Sequence, residues 1–273
     1  MLFAQITDLH IKAPGQLTYG RVDTAAHLAA AVTHLNALTP RPELVVASGD
    51  LVDNGTAEEY AHLRQILAPL EIPIALLPGN HDDRGVLRAA FPDHPYLAEG
   101  DPFLHHARDV GPIRLICLDT LREDGHWGAF DAARADWLKA RLAEAPDCPT
   151  VIIAHHPPFR TGMAEHDANR MLGRELLAEI IQTNPQIALL LTGHLHRMMA
   201  VPWAGVPALC LSSTAHQALL DLSPEARLSI RMEPPACLLV DWEAEDGFLT
   251  HVSPIGSFDG PFNIYDAAGN LID

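Results

Sequence analysis

The chain reads as an α/β protein built as one large domain, and three features of the sequence point there. Between residues 2 and 91, short apolar runs alternate with amphipathic stretches, a βαβαβ rhythm that implies parallel strands joined by crossover helices. Later apolar runs are spaced as hairpins or a meander, so a second sheet is expected to be mixed. No repeat, low-complexity tract or linker divides the 273 residues, a length that supports one domain with a full hydrophobic core. The expected division is a domain over 1–255, with a small cap segment near 215–235 and a tail or hairpin over 256–273.

Residues 2–6 are apolar enough for a first strand. Over 23–38, Leu28, Val32, Leu35 and Leu38 recur at helical spacing. A second strand is expected at 44–47. Thr56 and Glu59 have the spacing of a capping box and open a helix to about residue 68. A strand at 74–77 and a short helix at 84–91 complete the rhythm. After Pro92 comes a looser stretch to about residue 108, then a strand at 113–118, a helix over 131–144 and a strand at 150–154. A helix over 171–182 and a strand at 187–191 follow. Further strands are expected at 198–202, 206–211, 236–241 and 248–252.

Composition narrows the function classes. Apolar residues make up 48% of the chain, ordinary for a globular protein. The longest aliphatic run, 187–191, is far shorter than the roughly 20 residues of a membrane span. The N-terminal residues lack a basic stretch followed by an apolar segment, so the cytoplasm is the expected compartment. Four scattered cysteines, at 117, 148, 210 and 237, form no Cys-x-x-Cys pair and read as free thiols. A formal net charge of −17 argues against binding nucleic acid polymers or anionic lipid.

Five short segments carry the chemistry, and each follows an expected strand. They are Asp8-x-His10, Gly49-Asp50, Gly79-Asn80-His81-Asp82, His155-His156-Pro-Pro and Gly193-His194-x-His196. In an open α/β sheet, loops beyond the carboxyl ends of strands line the binding crevice, so the five are expected to meet in space. Imidazole and carboxylate suit Zn, Fe, Mn or Co, and the lack of thiolates argues against a structural zinc site. Asp-x-His and His-x-His each place two donors on one side of an extended segment. Gly49, Gly79 and Gly193 allow the close backbone approach that such turns need. Asp8, His10, Asp50, Asn80, His155, His194 and His196 are too many donors for one tetrahedral ion and suit two ions about 3.5–4 Å apart. Two divalent ions would outweigh Asp8, Asp50 and a bridging hydroxide by about one charge, so the local site attracts an anion despite the acidic chain. Histidines 27, 34, 62, 94, 105, 126, 166 and 251 show no partner pattern and read as surface or structural residues.

Taken together, these segments resemble the five motif blocks of calcineurin-like metallophosphoesterases, over roughly residues 1–252. The resemblance implies a four-layer α/β/β/α sandwich of two mixed sheets flanked by helices, with a dinuclear centre of divalent or mixed-valence ions at the sheet ends. It implies that Asp8, His10 and His196 hold one metal, that Asn80, His155 and His194 hold the other, and that Asp50 bridges them. Ile-Thr-Asp-Leu-His, Pro-Gly-Asn-His-Asp-Asp and His-His-Pro-Pro are similar to segments of bacterial glycerophosphodiesterases and class III cyclic-nucleotide phosphodiesterases. That branch implies His216, in Thr-Ala-His-Gln, as a substrate contact, and a homo-oligomer assembled through late segments.

The implied activity is hydrolysis of a small phosphodiester, a glycerophosphodiester or a cyclic nucleotide, by in-line attack of a metal-bridging hydroxide. His81, beside Asn80, would face the phosphoryl or leaving oxygen and donate to it. Asp53 is expected to be catalytic by orienting His81. Asn80, His81 and His216 form the expected substrate-facing set. A phosphomonoesterase uses the same core. Asn54, directly after Asp53, stands where a protein phosphatase would carry arginine, and no basic stripe suggests a nuclease. A scaffold that had lost its chemistry would lack donors, and none is missing.

Overall fold

A computed structural model describes residues 1–100 and 102–272; the last residue of the expected tail, 273, lies outside the described residues. Two mixed sheets pack face to face. The first contains the strands β1 (Leu2–Ile6), β2 (Leu44–Ser48), β3 (Ile74–Leu77), β12 (Ala236–Glu243) and β13 (Gly247–Pro254), in the order β13-β12-β1-β2-β3. β1, β2 and β3 are parallel, while β12 runs antiparallel to β1 and to β13. The second sheet is β4 (His106–Val110), β5 (Ile113–Leu118), β6 (Thr150–Ala154), β7 (Ile187–Thr192), β9 (Val206–Cys210) and β8 (Met199–Trp203), in that order. Its centre, β5-β6-β7-β9, is parallel, and its edges are antiparallel.

The strands at the centre of both sheets are buried on both faces, and the period-2 alternation of side chains divides the apolar residues between two cores. Phe3, Val46 and Leu77 face Leu115, Val151, Ile153 and Leu191 between the sheets. Ala4, Ile6, Val45, Ala47 and Leu76 face outward, onto α1 (Thr24–Ala37), α2 (Ala57–Leu67) and α3 (Arg84–Ala90). Ile116, Ile152 and Leu190 do the same for α4 (Ala132–Ala143) and α6 (Arg174–Thr183). The result is the four-layer sandwich expected above.

Local sequence accounts for the element ends. The Thr56 hydroxyl accepts from the Glu59 backbone N–H, and the Glu59 carboxylate accepts from that of Thr56, a complete capping box. Asp23, Asp83 and Asp131 cap α1, α3 and α4.

Two expectations need correction. The stretch after Pro92 contains β4, an edge strand whose polar residues His106, Arg108 and Asp109 conceal its alternation. The helix expected from residue 171 starts at Arg174, and the one-turn α5 (Ala164–Ala168) precedes it. Residues 215–235 contain a two-strand ribbon, β10 (Gln217–Ala218) with β11 (Ile230–Arg231). In the tail, Tyr265 pairs with Leu271. All four cysteines are free. No helix among the described residues is long and apolar enough to cross a membrane.

Candidate metal centre

The five segments leave the carboxyl ends of β1, β2, β3, β6 and β7 and meet where the two sheets abut. The buried Gln5 ties the sheets together at this end, donating to Ser48 Oγ at 2.8 Å and to the Thr192 carbonyl at 3.2 Å. Glycine allows the convergence. A Cβ on Gly79 would overlap the Asp50 carboxylate, and one on Gly193 would overlap Thr7 Oγ1 and Asp8 Oδ2.

The donors themselves sit on strained backbone. Seven described non-glycine residues have positive φ, and five of them are Asp8, His10, Asp50, His194 and His196, with φ between 45° and 71°. Each such residue costs about 1–3 kcal/mol, a cost that surrounding structure sustains at functional sites. Tyr19, a sixth, also lines the pocket.

The imidazoles of His10, His155 and His196 are each held through Nδ1, leaving Nε2 directed inward. His155 Nδ1–H donates to the Ser48 carbonyl (2.9 Å) and His196 Nδ1–H to the His216 carbonyl (2.9 Å). His10 Nδ1–H donates to Asp53 Oδ1 at 3.0 Å, and Lys12 Nζ pairs with Asp53 Oδ2 at 2.6 Å. Such outer contacts set the tautomer and aim the free lone pair. The inward nitrogens crowd together. His10 Nε2 and His196 Nε2 are 3.0 Å apart, and His196 Nε2 is 3.3 Å from Asp8 Oδ1. His155 Nε2 is 3.2 Å from Asp50 Oδ2, yet it and His194 Nδ1 are buried without a hydrogen-bond partner. Converging lone pairs beside two buried carboxylates are an arrangement that a cation satisfies and hydrogen bonds do not.

The electrostatics agree. Burial pushes the Asp8 carboxyl up, but the His196 and His155 imidazoles outweigh it and hold Asp8 well below the usual range. Asp50 is likewise held low, with burial outweighed chiefly by His155. Burial and the neighbouring His155 depress His194 to about 3.

Above these donors is a cavity of about 300 Å³. His81, Asn80 and His216 line it, as do His126, Trp127, Glu165, His166 and Leu228. His81 Nδ1–H donates to the Asp53 carbonyl at 2.8 Å, so the Asp53 carboxylate orients His10 and not His81. This corrects the sequence expectation, which placed the side chain rather than the backbone of Asp53 behind His81. His216 is 1% exposed and neither ring nitrogen has a partner; its ring is 4.6 Å from that of His196. His126 and His166, read as surface or structural residues, belong to the pocket wall. His126 Nδ1 lies 3.4 Å from Asn80 Nδ2, and the His166 ring is 5.8 Å from that of His194. Their roles depend on contacts across the chain that no local spacing announces.

Comparison with known proteins agrees with the site. Residues 1–198 match the calcineurin-like phosphoesterase family model. The chain is 36% identical to a probable glycerophosphodiester phosphodiesterase of Arcobacter nitrofigilis, covering 100% of both chains. It is 30% identical to a 3′,5′-cyclic-nucleotide phosphodiesterase of a Nostoc species, covering 92% of this chain and 91% of that one. In structure it is similar to a dimetal phosphatase from Danio rerio, with a TM-score of 0.66 at 14% identity over 94% of this chain and 99% of that one. The chain therefore belongs to the calcineurin-like phosphoesterase family.

Proposed function

We propose that this protein hydrolyses small phosphodiesters at a dinuclear metal centre. The observation that carries the reading is the meeting of inward-facing imidazole nitrogens and two buried carboxylates beneath a cavity of about 300 Å³. Asp8, His10 and His196 would hold one ion and Asn80, His155 and His194 the other, with Asp50 between them. Bound there, two ions from Fe, Mn, Zn or Co would lower the pKa of a water to near neutrality and polarise the phosphoryl oxygens.

The chain's own residues supply the rest. His81 faces the cavity through Nε2. Burial pushes its pKa down, but Asp50 and the Asp53 backbone outweigh this and hold it above the ordinary histidine value. A proton on its Nε2 could be given to the leaving alkoxide. His216, with two unpartnered nitrogens, would contact a phosphoryl or alcohol oxygen, and the Asn80 amide borders the same space. No lysine or arginine is among the described residues lining the cavity. A monoanionic diester needs less cationic support than a dianionic monoester, which favours the diesterase reading.

Curated relatives are named both as glycerophosphodiester and as cyclic-nucleotide phosphodiesterases. A panel of glycerophosphodiesters, cyclic AMP and p-nitrophenyl phosphate, run on chelated protein with Mn²⁺ restored, tests the reading. Turnover of at least one diester above the monoester is expected; preference for the monoester overturns it. Free thiols suit a cytoplasmic setting. Exposed Phe262, Ile264 and Leu271 on the tail support a homo-oligomer.

A further inference from the structure

Asn80 can present either its carbonyl oxygen or its amino group to the donors around it, and the two orientations have the same shape. Packing therefore does not choose between them; a hydrogen-bond partner must. That partner lies outside the proposed ligand set. His156 is 2% exposed, and its Nε2 lies 3.2 Å from Asn80 Oδ1. Its Nδ1 lies 2.8 Å from the hydroxyl of Thr120, which is fully buried. That hydroxyl oxygen is also approached by the backbone N–H of His156, at 3.5 Å. The hydroxyl oxygen can accept from the backbone and still donate; with its proton given to Nδ1, the proton of the neutral ring resides on Nε2.

The three imidazoles of His155, His156 and His194 are bunched closely enough to share an ion. Their hydrogen bonding separates them. His155 Nε2 and His194 Nδ1 have no hydrogen-bond partner, whereas both ring nitrogens of His156 are engaged. The ring also has no room to retreat. A Cβ on Gly128 would come within 2.6 Å of His156 Cβ and Cγ and within 2.8 Å of Nδ1.

We propose that His156 is a positioning residue for the metal site of Asn80, His155 and His194. A relay from Thr120 Oγ1–H to His156 Nδ1, and from His156 Nε2–H to Asn80 Oδ1, turns the amide so that its oxygen faces the ion. Accepting from His156 uses one of the two lone pairs of that oxygen and leaves the other for the cation. An amide turned the other way would offer an NH₂ group, which has no lone pair to give. This inference rests on the dinuclear reading above.

The test is calorimetric titration of the chelator-stripped full chain with Mn²⁺ alone, alongside melting of the metal-free protein. The unmodified chain is expected to bind two ions. His156→Ala should weaken one site by about 10–100-fold and leave the other unchanged, the usual effect of losing an outer-shell partner. Thr120→Val, which removes the hydroxyl but keeps the shape, should shift the same site in the same direction. His156→Gln, which retains an Nε2–H donor, should recover most of the affinity. These two variants keep the question open to test if the alanine variant does not fold. In an Asn80→Ala background, His156→Ala should cause no further loss. Two unchanged sites, equal weakening of both, or further loss without Asn80 would each overturn the relay; the last would make His156 a ligand. Fewer than two ions on the unmodified chain would overturn the dinuclear reading and the relay with it. Two ions with an insensitive His156 would overturn the relay alone.

Discussion

The side chains at the centre divide by what their replacement should change. His81 touches neither neighbouring carboxylate through its side chain and faces the cavity, so His81→Ala should lower kcat by about 10²–10⁴-fold with metal content unchanged. Asp53 acts through His10. Its carboxyl, although pushed up by burial, is held at about 2 by its hydrogen bonds to His10 and Lys12. Asp53→Asn should therefore weaken the ion proposed at Asp8, His10 and His196 by about 10–100-fold, read by metal titration, before it alters the pH dependence of turnover. Gly193→Ala offers a third contrast. Its methyl would overlap Thr7 and Asp8, so both the melting temperature and metal content should fall. Strained φ at Asp8, His10, Asp50, His194 and His196 shows that the backbone is spent on aiming donors rather than on stability.

At the scale of elements, the capping box on α2 is isolated enough to test cleanly. Thr56→Ala should cost about 1 kcal/mol and lower the melting temperature by about 2–4 °C for a chain of this size. The first residue of β4 and the one before it carry a pH-sensitive feature away from the centre. His105 and His106 are fully buried, with Nε2 unpartnered in each, and burial depresses their pKa values to about 4 and about 3. The folded chain keeps both neutral while the unfolded chain protonates them near pH 6.5. Their contribution is thus intact above pH 6.5 and is lost as the pH falls toward 4 and then 3. His106→Leu should melt with a shallower pH dependence between pH 6.5 and 4 than the unmodified protein. An unaltered slope would show that this histidine titrates normally. β4 is also an instructive omission from the sequence reading. β1, β2, β6 and β7 are visible as apolar runs because both faces are buried, whereas an edge strand with His106, Arg108 and Asp109 shows no such run. The five-residue α5 and two-residue β10 and β11 are too short for any period to register.

For the whole molecule, the two sheets matter because they bring five loops to one place. The donor residues were readable because His, Asp and Asn stand directly after apolar strands, a local pattern. What they touch was not readable. The Asp53 carboxylate meets His10, 43 residues away, and His156 meets Asn80, 76 residues away. Those pairings exist only once β1, β2, β3 and β6 are aligned. The pocket wall shares this property, since His126 and Trp127 come from a loop and Glu165 from the one-turn α5, none within a motif. The proposed homo-oligomer is tested at the tail: removal of residues 256–273 should shift sedimentation from an oligomer toward a monomer lighter than the 29.7 kDa of the full chain. Identical sedimentation of the full and shortened chains would place any interface elsewhere. The central claim remains the dinuclear phosphodiesterase, and one titration tests it most directly. Chelated protein is given increasing equivalents of Mn²⁺ while kcat/KM is measured on bis(p-nitrophenyl) phosphate and on p-nitrophenyl phosphate. Diester hydrolysis should rise to a plateau at two equivalents per chain and exceed monoester hydrolysis throughout. A plateau at one equivalent, a preference for the monoester, or no hydrolysis with Mn²⁺, Co²⁺, Zn²⁺ or Fe²⁺ would contradict it.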